Sequence, residues 1–190
     1  MVVTRRPPDI PRLLSVLEMH SVRYVLTGSV AAHIYGVQIG EPGNLDITPA
    51  LDRDNLQHMA AALRMIEARI DPDEPAGHWE AQPDGERKWI VDETTPELVA
   101  RRTAWFPDPD DISTLDHLFI TRFGNLDVVP ELSGTYDDLK QRALEFQAYG
   151  QKLWVAHVDD LLAALTVPRR QKDVSRVRQL RTLQRSFGQQ

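Results

Sequence analysis

Tyr24-Val25-Leu26-Thr27-Gly28-Ser29-Val30-Ala31-Ala32-His33-Ile34-Tyr35-Gly36, continued past a short loop by Gly43-Asn44-Leu45-Asp46-Ile47-Thr48, is the stretch on which the fold turns. Val25 and Leu26 form a short apolar run that stops at Thr27-Gly28-Ser29. Val30, Ile34 and the alanines between them then fit a helix with one face on a core. The pattern is strand, tight turn, helix. At such a junction Gly28 lets backbone N–H groups approach an oxyanion, and Ser29 can cap the helix or bond a phosphate. An ordinary helix cap uses the same residues, so this pair alone does not specify a phosphate site.

The second half of the stretch adds chemistry. Asn44 to Thr48 alternates, so a strand there turns Leu45 and Ile47 to the core and Asn44, Asp46 and Thr48 to the opposite face. Oxygen-bearing side chains two residues apart can hold one hard cation. Leu126-Asp127-Val128-Val129 repeats the arrangement, with one carboxylate among apolar neighbours. Mg²⁺ takes oxygen ligands, commonly one or two carboxylates together with substrate phosphates.

In this order (Gly28-Ser29, a strand bearing Asp46, a helix, then a strand bearing Asp127) the chain resembles the nucleotidyltransferase superfamily, and more narrowly the AbiEii-type toxins of type IV toxin–antitoxin systems. Val22 to Gly36 resembles the family's opening strand and helix, Gly124 to Glu131 its third-acid hairpin, and Arg169 to Leu180 its closing helix with the Arg-x-Lys-Asp run at Arg170, Lys172 and Asp173. The first acid of the family's Asp-x-Asp pair falls on Asn44, and Leu165 stands where a lysine is usual. The resemblance implies an α/β nucleotidyltransferase-type mixed sheet flanked by helices, with a helical C-terminal portion. It implies transfer of a nucleoside monophosphate from a nucleoside triphosphate to an acceptor hydroxyl, with the 3′ end of tRNA favoured and a cognate antitoxin as a partner. Gly28, Ser29, Arg170 and Lys172 would bind phosphate, Asp46 and Asp127 would be catalytic, and Asn44, Asp46 and Asp127 would face weakly held Mg²⁺ or Mn²⁺. With one acid missing, a catalytically impaired nucleotide-binding or regulatory protein of the same fold is the alternative.

Composition bounds these expectations. At 190 residues, 42% hydrophobic and 26% charged, the chain is long enough for one sizeable core. With no cysteine, disulfides, iron–sulfur clusters and thiolate zinc sites are excluded. The six histidines are scattered without zinc-type spacing, and neither a serine nucleophile elbow nor a Gly-Lys-Ser/Thr phosphate loop occurs. No apolar run reaches the length of a membrane span, and a cytoplasmic location is expected. The net charge of −6 is unevenly spread: Arg169 to Arg185 holds six arginines and one lysine against one acid. A basic segment of this kind can meet a polyanion, or can be a solvated face.

The remaining elements follow from periodicity. A first helix runs from Asp9 to about His20, and a third from Asp52 or Asp54 to near Ile70. Residues 71–111 hold six of the 13 prolines and three of the four tryptophans, and form an insertion within a core spanning 1–156. Within it Trp89 to Val91 fits a short strand and Pro96 to Thr103 a short helix. His117 to Phe123 and Leu126 to Val129 form a hairpin about Gly124-Asn125. Tyr136 to Tyr149 fits a helix ended by Gly150, and Lys152 to Ala156 a strand. Residues 157–190 form the basic C-terminal segment, packed on the core: Val158 to Leu165 is one helix, and the last begins at Arg169. In it Val177, Leu180, Leu183 and Phe187 lie on one side, and Arg178, Arg181 and Arg185 on an adjoining one.

Overall fold

The computed structural model describes residues 7–38, 40–71, 77–81, 87–91, 93, 95–111, 115–165 and 171–187. Among the described residues, seven helices and nine strands follow in the order α1 (Ile10–Met19), β1 (Tyr24–Thr27), α2 (Gly28–Ile34), β2 (Leu45–Pro49), α3 (Arg53–Met65), β3 (Arg69–Ile70), β4 (Gly77–Ala81), β5 (Arg87–Val91), α4 (Pro96–Thr103), β6 (Leu118–Thr121), β7 (Gly124–Val128), α5 (Tyr136–Arg142), β8 (Leu144–Ala148), β9 (Gln151–Val155), α6 (Val158–Ala163) and α7 (Gln171–Phe187). The fold is α/β. Its main sheet has seven strands in the order β3-β6-β7-β2-β1-β9-β8, while β4 and β5 pair as a separate hairpin. β2 runs parallel to β7 and β1 parallel to β9, and the other pairs are antiparallel, so the sheet is mixed.

Register explains which face is core. Leu26 lies opposite Ile47, Ile47 beside Val128, Leu45 beside Leu126, and Leu26 beside Val155. All six side chains are therefore on one side, and all are fully buried in the core that also takes Leu13, Leu14 and Leu17 of α1 and Met59 and Leu63 of α3. The other face carries Thr27, Asp46 and Asp127 side by side, because Thr27 pairs with Asp46 and Asp46 with Asp127. One face stabilises; the other can do chemistry.

The caps place the helices. The Asp9 side chain accepts from the Arg12 amide at α1, and Asp52 accepts from the Asn55 amide at α3. Asn55 is itself completely buried: it accepts from the Arg23 N–H at 2.7 Å and donates to the carbonyls of Arg23 and Ala50 at 2.9 and 2.8 Å. It ties the start of α3 to the end of the β1–β2 pair where the entry to β1 lies beside the exit from β2.

Three expected elements differ. The third helix stops at Met65, with Ile66 as its cap and Glu67 at φ +56°, and Arg69–Ile70 joins the sheet edge instead. The hairpin turn is Arg122-Phe123, not Gly124-Asn125, which open β7. The Thr121 hydroxyl closes that turn by donating to the Gly124 carbonyl (2.6 Å) and accepting from the Phe123 amide (3.0 Å). The long helix over Tyr136–Tyr149 is a helix only to Arg142. Ala143 turns to ψ 143°, and Leu144–Ala148 pairs with β9 about Tyr149-Gly150, both at positive φ (52° and 80°). A two-residue turn with positive φ at both positions matches strand twist, and the sheet hydrogen bonds it permits outweigh the helical spacing of Leu139, Ala143 and Phe146. Trp105 of the insertion lies against Phe119 with ring centroids 4.8 Å apart, so this tryptophan anchors its loop to the core. Among the described residues no helix is long and apolar enough to cross a membrane.

Candidate functional site

β1 ends at Thr27 because Gly28 takes φ +65°, a conformation that costs glycine little, and the chain turns directly into α2. That turn lies on the Asp46 carboxylate. A β-carbon on Gly28 would stand 2.2 Å from Asp46 Oδ2 and 2.3 Å from its Cγ. Glycine is thus required twice, by φ and by space. The Ser29 backbone N–H donates to Asp46, so one of the turn's amides is already used by a carboxylate.

Asp46 and Asp127 face the same way from adjacent parallel strands, and Asn44 links them. Its Nδ2 donates to Asp46 Oδ1 at 2.9 Å and to Asp127 Oδ2 at 3.1 Å. The side chain is placed with its nitrogen inward, where it donates to both carboxyl groups. Asn44 therefore sits between the acids as a neutral bridge.

The electrostatics follow from crowding. Asp46 keeps a little surface, yet the protein packed around it desolvates its carboxyl and the neighbouring Asp127 repels its charge, so its pKa is pushed well above the ordinary carboxylate range. The Ser29 amide, the Arg176 guanidinium and the Asn44 amide pull the other way without cancelling those effects. Two further groups beside the pair are polar and wholly buried: the hydroxyls of Thr27 and Thr48 have no hydrogen-bond partner. Asn125, two residues before Asp127 on the same strand face, is also buried, with Oδ1 unpartnered.

Five of the seven residues singled out in the sequence come together: Gly28, Ser29, Asn44, Asp46 and Asp127. Arg170 lies outside the described residues, as does the Lys172 side chain. His33 and Glu41 are exposed. Arg178, Arg181 and Arg185 line a groove of about 780 Å³ between α6 and α7, with Leu162, Leu165 and Val177 among its other walls. The residue missed was Arg176. Counting back from Leu183 and Leu180 by seven and four places it on the packed side of α7, a signal present in the sequence but hidden among six arginines.

No protein-family model, curated protein or solved structure matches the chain, so the chemistry rests on the geometry of these residues.

Proposed function

We propose that this chain binds a nucleoside triphosphate at the Gly28–Ser29 turn and transfers its nucleoside monophosphate to an acceptor hydroxyl, the activity that its resemblance to nucleotidyltransferases implies. The observation that carries the proposal is the in-register pair Asp46–Asp127, bonded to one common nitrogen and lying against a glycine turn. Two carboxylates that reach the same atom suit one hard cation whose other ligands are waters and phosphate oxygens. The donor set fits one Mg²⁺ or Mn²⁺ arriving with the nucleotide. Among the described residues there is no cluster of three acids or histidines for a more tightly held ion. Asp46 and Asp127 would hold the cation, which would supply neutralisation of the phosphates and acidification of the attacking hydroxyl.

The chain's own residues do the rest. Gly28 leaves room for the Asp46 carboxylate against the turn, and Asp127 accepts the proton of the acceptor hydroxyl. By resemblance, Arg170 and Lys172 neutralise phosphate charge, the acceptor is the 3′ end of tRNA, a cognate antitoxin is a partner, and the compartment is the cytoplasm. The exposed arginines of α7 are suited to hold an RNA backbone.

A second reading is favoured by one observation: the Asn44 amide occupies the place between the acids that a cation would take. On that reading the protein binds nucleotide or RNA as a regulator and catalyses nothing. Incorporation of each labelled triphosphate into total tRNA decides between the two. Transfer is expected to be slow in wild type, faster in Asn44→Asp and abolished in Asp127→Ala. Transfer that survives Asp127→Ala removes the site assignment. Nucleotide binding with no transfer by wild type or Asn44→Asp establishes the regulator.

A further inference from the structure

We propose that Arg176 is a phosphate-binding side chain of the Asp46–Asp127 site, contributed by the last helix and contacting the triphosphate itself. The inference rests on reading the site as a nucleotide site, and it adds a ligand that motif and spacing did not single out.

α7 is held against the segment that follows α2. Gln179 clasps the backbone of Gln38, just beyond α2, from both sides: its Oε1 accepts from the Gln38 N–H at 2.8 Å and its Nε2 donates to the Gln38 carbonyl at 3.3 Å. Leu180, next along, is fully buried. Arg176 stands three and four residues before this pair, so it shares their helix face and is turned inward with them. Arg178, Arg181 and Arg185 are exposed along the groove against α6. Among the arginines of the helix, Arg176 thus lies on the packed side and Arg178, Arg181 and Arg185 on the exposed one.

Arg176 carries a shielded N–H, that of Nε, without a hydrogen bond, and it forms no ion pair among the described residues. Its charge nevertheless acts on Asp46, which places the guanidinium in the field of the acidic pair. A shielded guanidinium N–H left unbonded is costly, and an oxyanion entering beside it would remove that cost through a charge-assisted bond. The guanidinium fork suits phosphate oxygens and is always charged. It would also offset the repulsion that Asp46 and Asp127 present to a triphosphate, a need made greater by the absence of a third acid to hold compensating cations.

The test is calorimetric titration of the full chain with inorganic tripolyphosphate and with each nucleoside triphosphate, in EDTA and in Mg²⁺, for wild type, Arg176→Gln, Arg176→Lys and Arg178→Gln, with thermal melts run in parallel. Arg176→Gln is expected to weaken both kinds of ligand by about ten- to a hundredfold, and Arg178→Gln to leave tripolyphosphate binding unchanged. Wild-type affinity in Arg176→Gln overturns the inference and leaves the nucleotide reading standing. Tripolyphosphate binding that depends on Arg176, without nucleotide binding, keeps the inference and removes that reading; wild type that binds neither ligand removes both. Should Arg176→Gln lose its cooperative melt, Arg176→Lys decides: it keeps charge but not the fork, and affinity equal to wild type overturns the inference.

Discussion

Asn44 shows how one atom changes what a pair of acids needs. With Nδ2 bonded to both Asp46 and Asp127, the folded protein holds two carboxylates together without a cation. Asn44→Asp replaces that donor with a third acceptor, so the metal-free protein is expected to lose about 1–3 kcal/mol. Mg²⁺ should then raise its melting temperature by more than it raises that of wild type; equal responses would count against a shared cation position. Gly28→Ala introduces both a strained φ and a β-carbon inside the Asp46 carboxylate. It is expected to destabilise by more than about 1 kcal/mol and to abolish nucleotide binding, as measured by denaturant melts and calorimetry. Asp46 also makes stability depend on pH. Its folded carboxyl holds a proton to a pH well above the ordinary range, so between the two pKa values the folded state binds more protons than the unfolded. Stability from this group is highest below about pH 4 and falls as pH rises through the raised value, then levels. Denaturant melts from pH 5 upward should show this slope in wild type and a shallower one in Asp46→Asn.

At the scale of elements, buried polar joints hold the site in register. Asn55 makes its three backbone contacts from a completely buried position, and both Arg23 groups it binds belong to the residue that leads into β1. Asn55→Ala leaves those groups unpaired and is expected to cost about 2–3 kcal/mol by chemical denaturation; a loss under half of that would show that water replaces the amide. On the far side, Arg142 Nη2 and Nε bind both oxygens of buried Asp160 at 2.6 and 3.2 Å, and the Ser133 hydroxyl adds a third bond at 2.9 Å. This joint fixes the end of α5 to the first turn of α6. The β8–β9 hairpin between them depends on Tyr149-Gly150, where Gly150 takes φ +80° in open space, so any cost of replacing it is conformational rather than steric.

Across the whole molecule, charge and packing are separated along α7. Leu180 is buried and Arg176 half-buried, while the exposed Arg178, Arg181 and Arg185 form a basic edge on an otherwise acidic protein. If that edge binds RNA, neutralising Arg178, Arg181 and Arg185 together should flatten the dependence of log affinity on log salt by roughly one unit per lost phosphate contact. Filter binding with total tRNA across a salt series measures the slope. An unchanged slope would return these arginines to a solvated face.

Residues whose meaning is local were legible in the chain. Thr27-Gly28-Ser29 reads as a strand-to-helix turn, and the alternation around Asp46 and Asp127 reads as two strands with acids on one face, because side-chain direction in a strand follows from period two alone. Phe146 and Gly150 were misread because L-E-F-Q-A satisfies a helical spacing nearly as well as an alternating one, and only pairing with β9 settles the choice. The alignment of Asp46 with Asp127 needed the register of β2 on β7, a contact across 81 positions that no local pattern encodes. That Asn44 turns its nitrogen inward, and that the Nε of Arg176 is shielded while Arg178, Arg181 and Arg185 are exposed, are decided by packing. Local pattern sets which groups are able to meet; hydrogen-bond partners and burial join residues far apart in the chain, so only the assembled fold selects those that do.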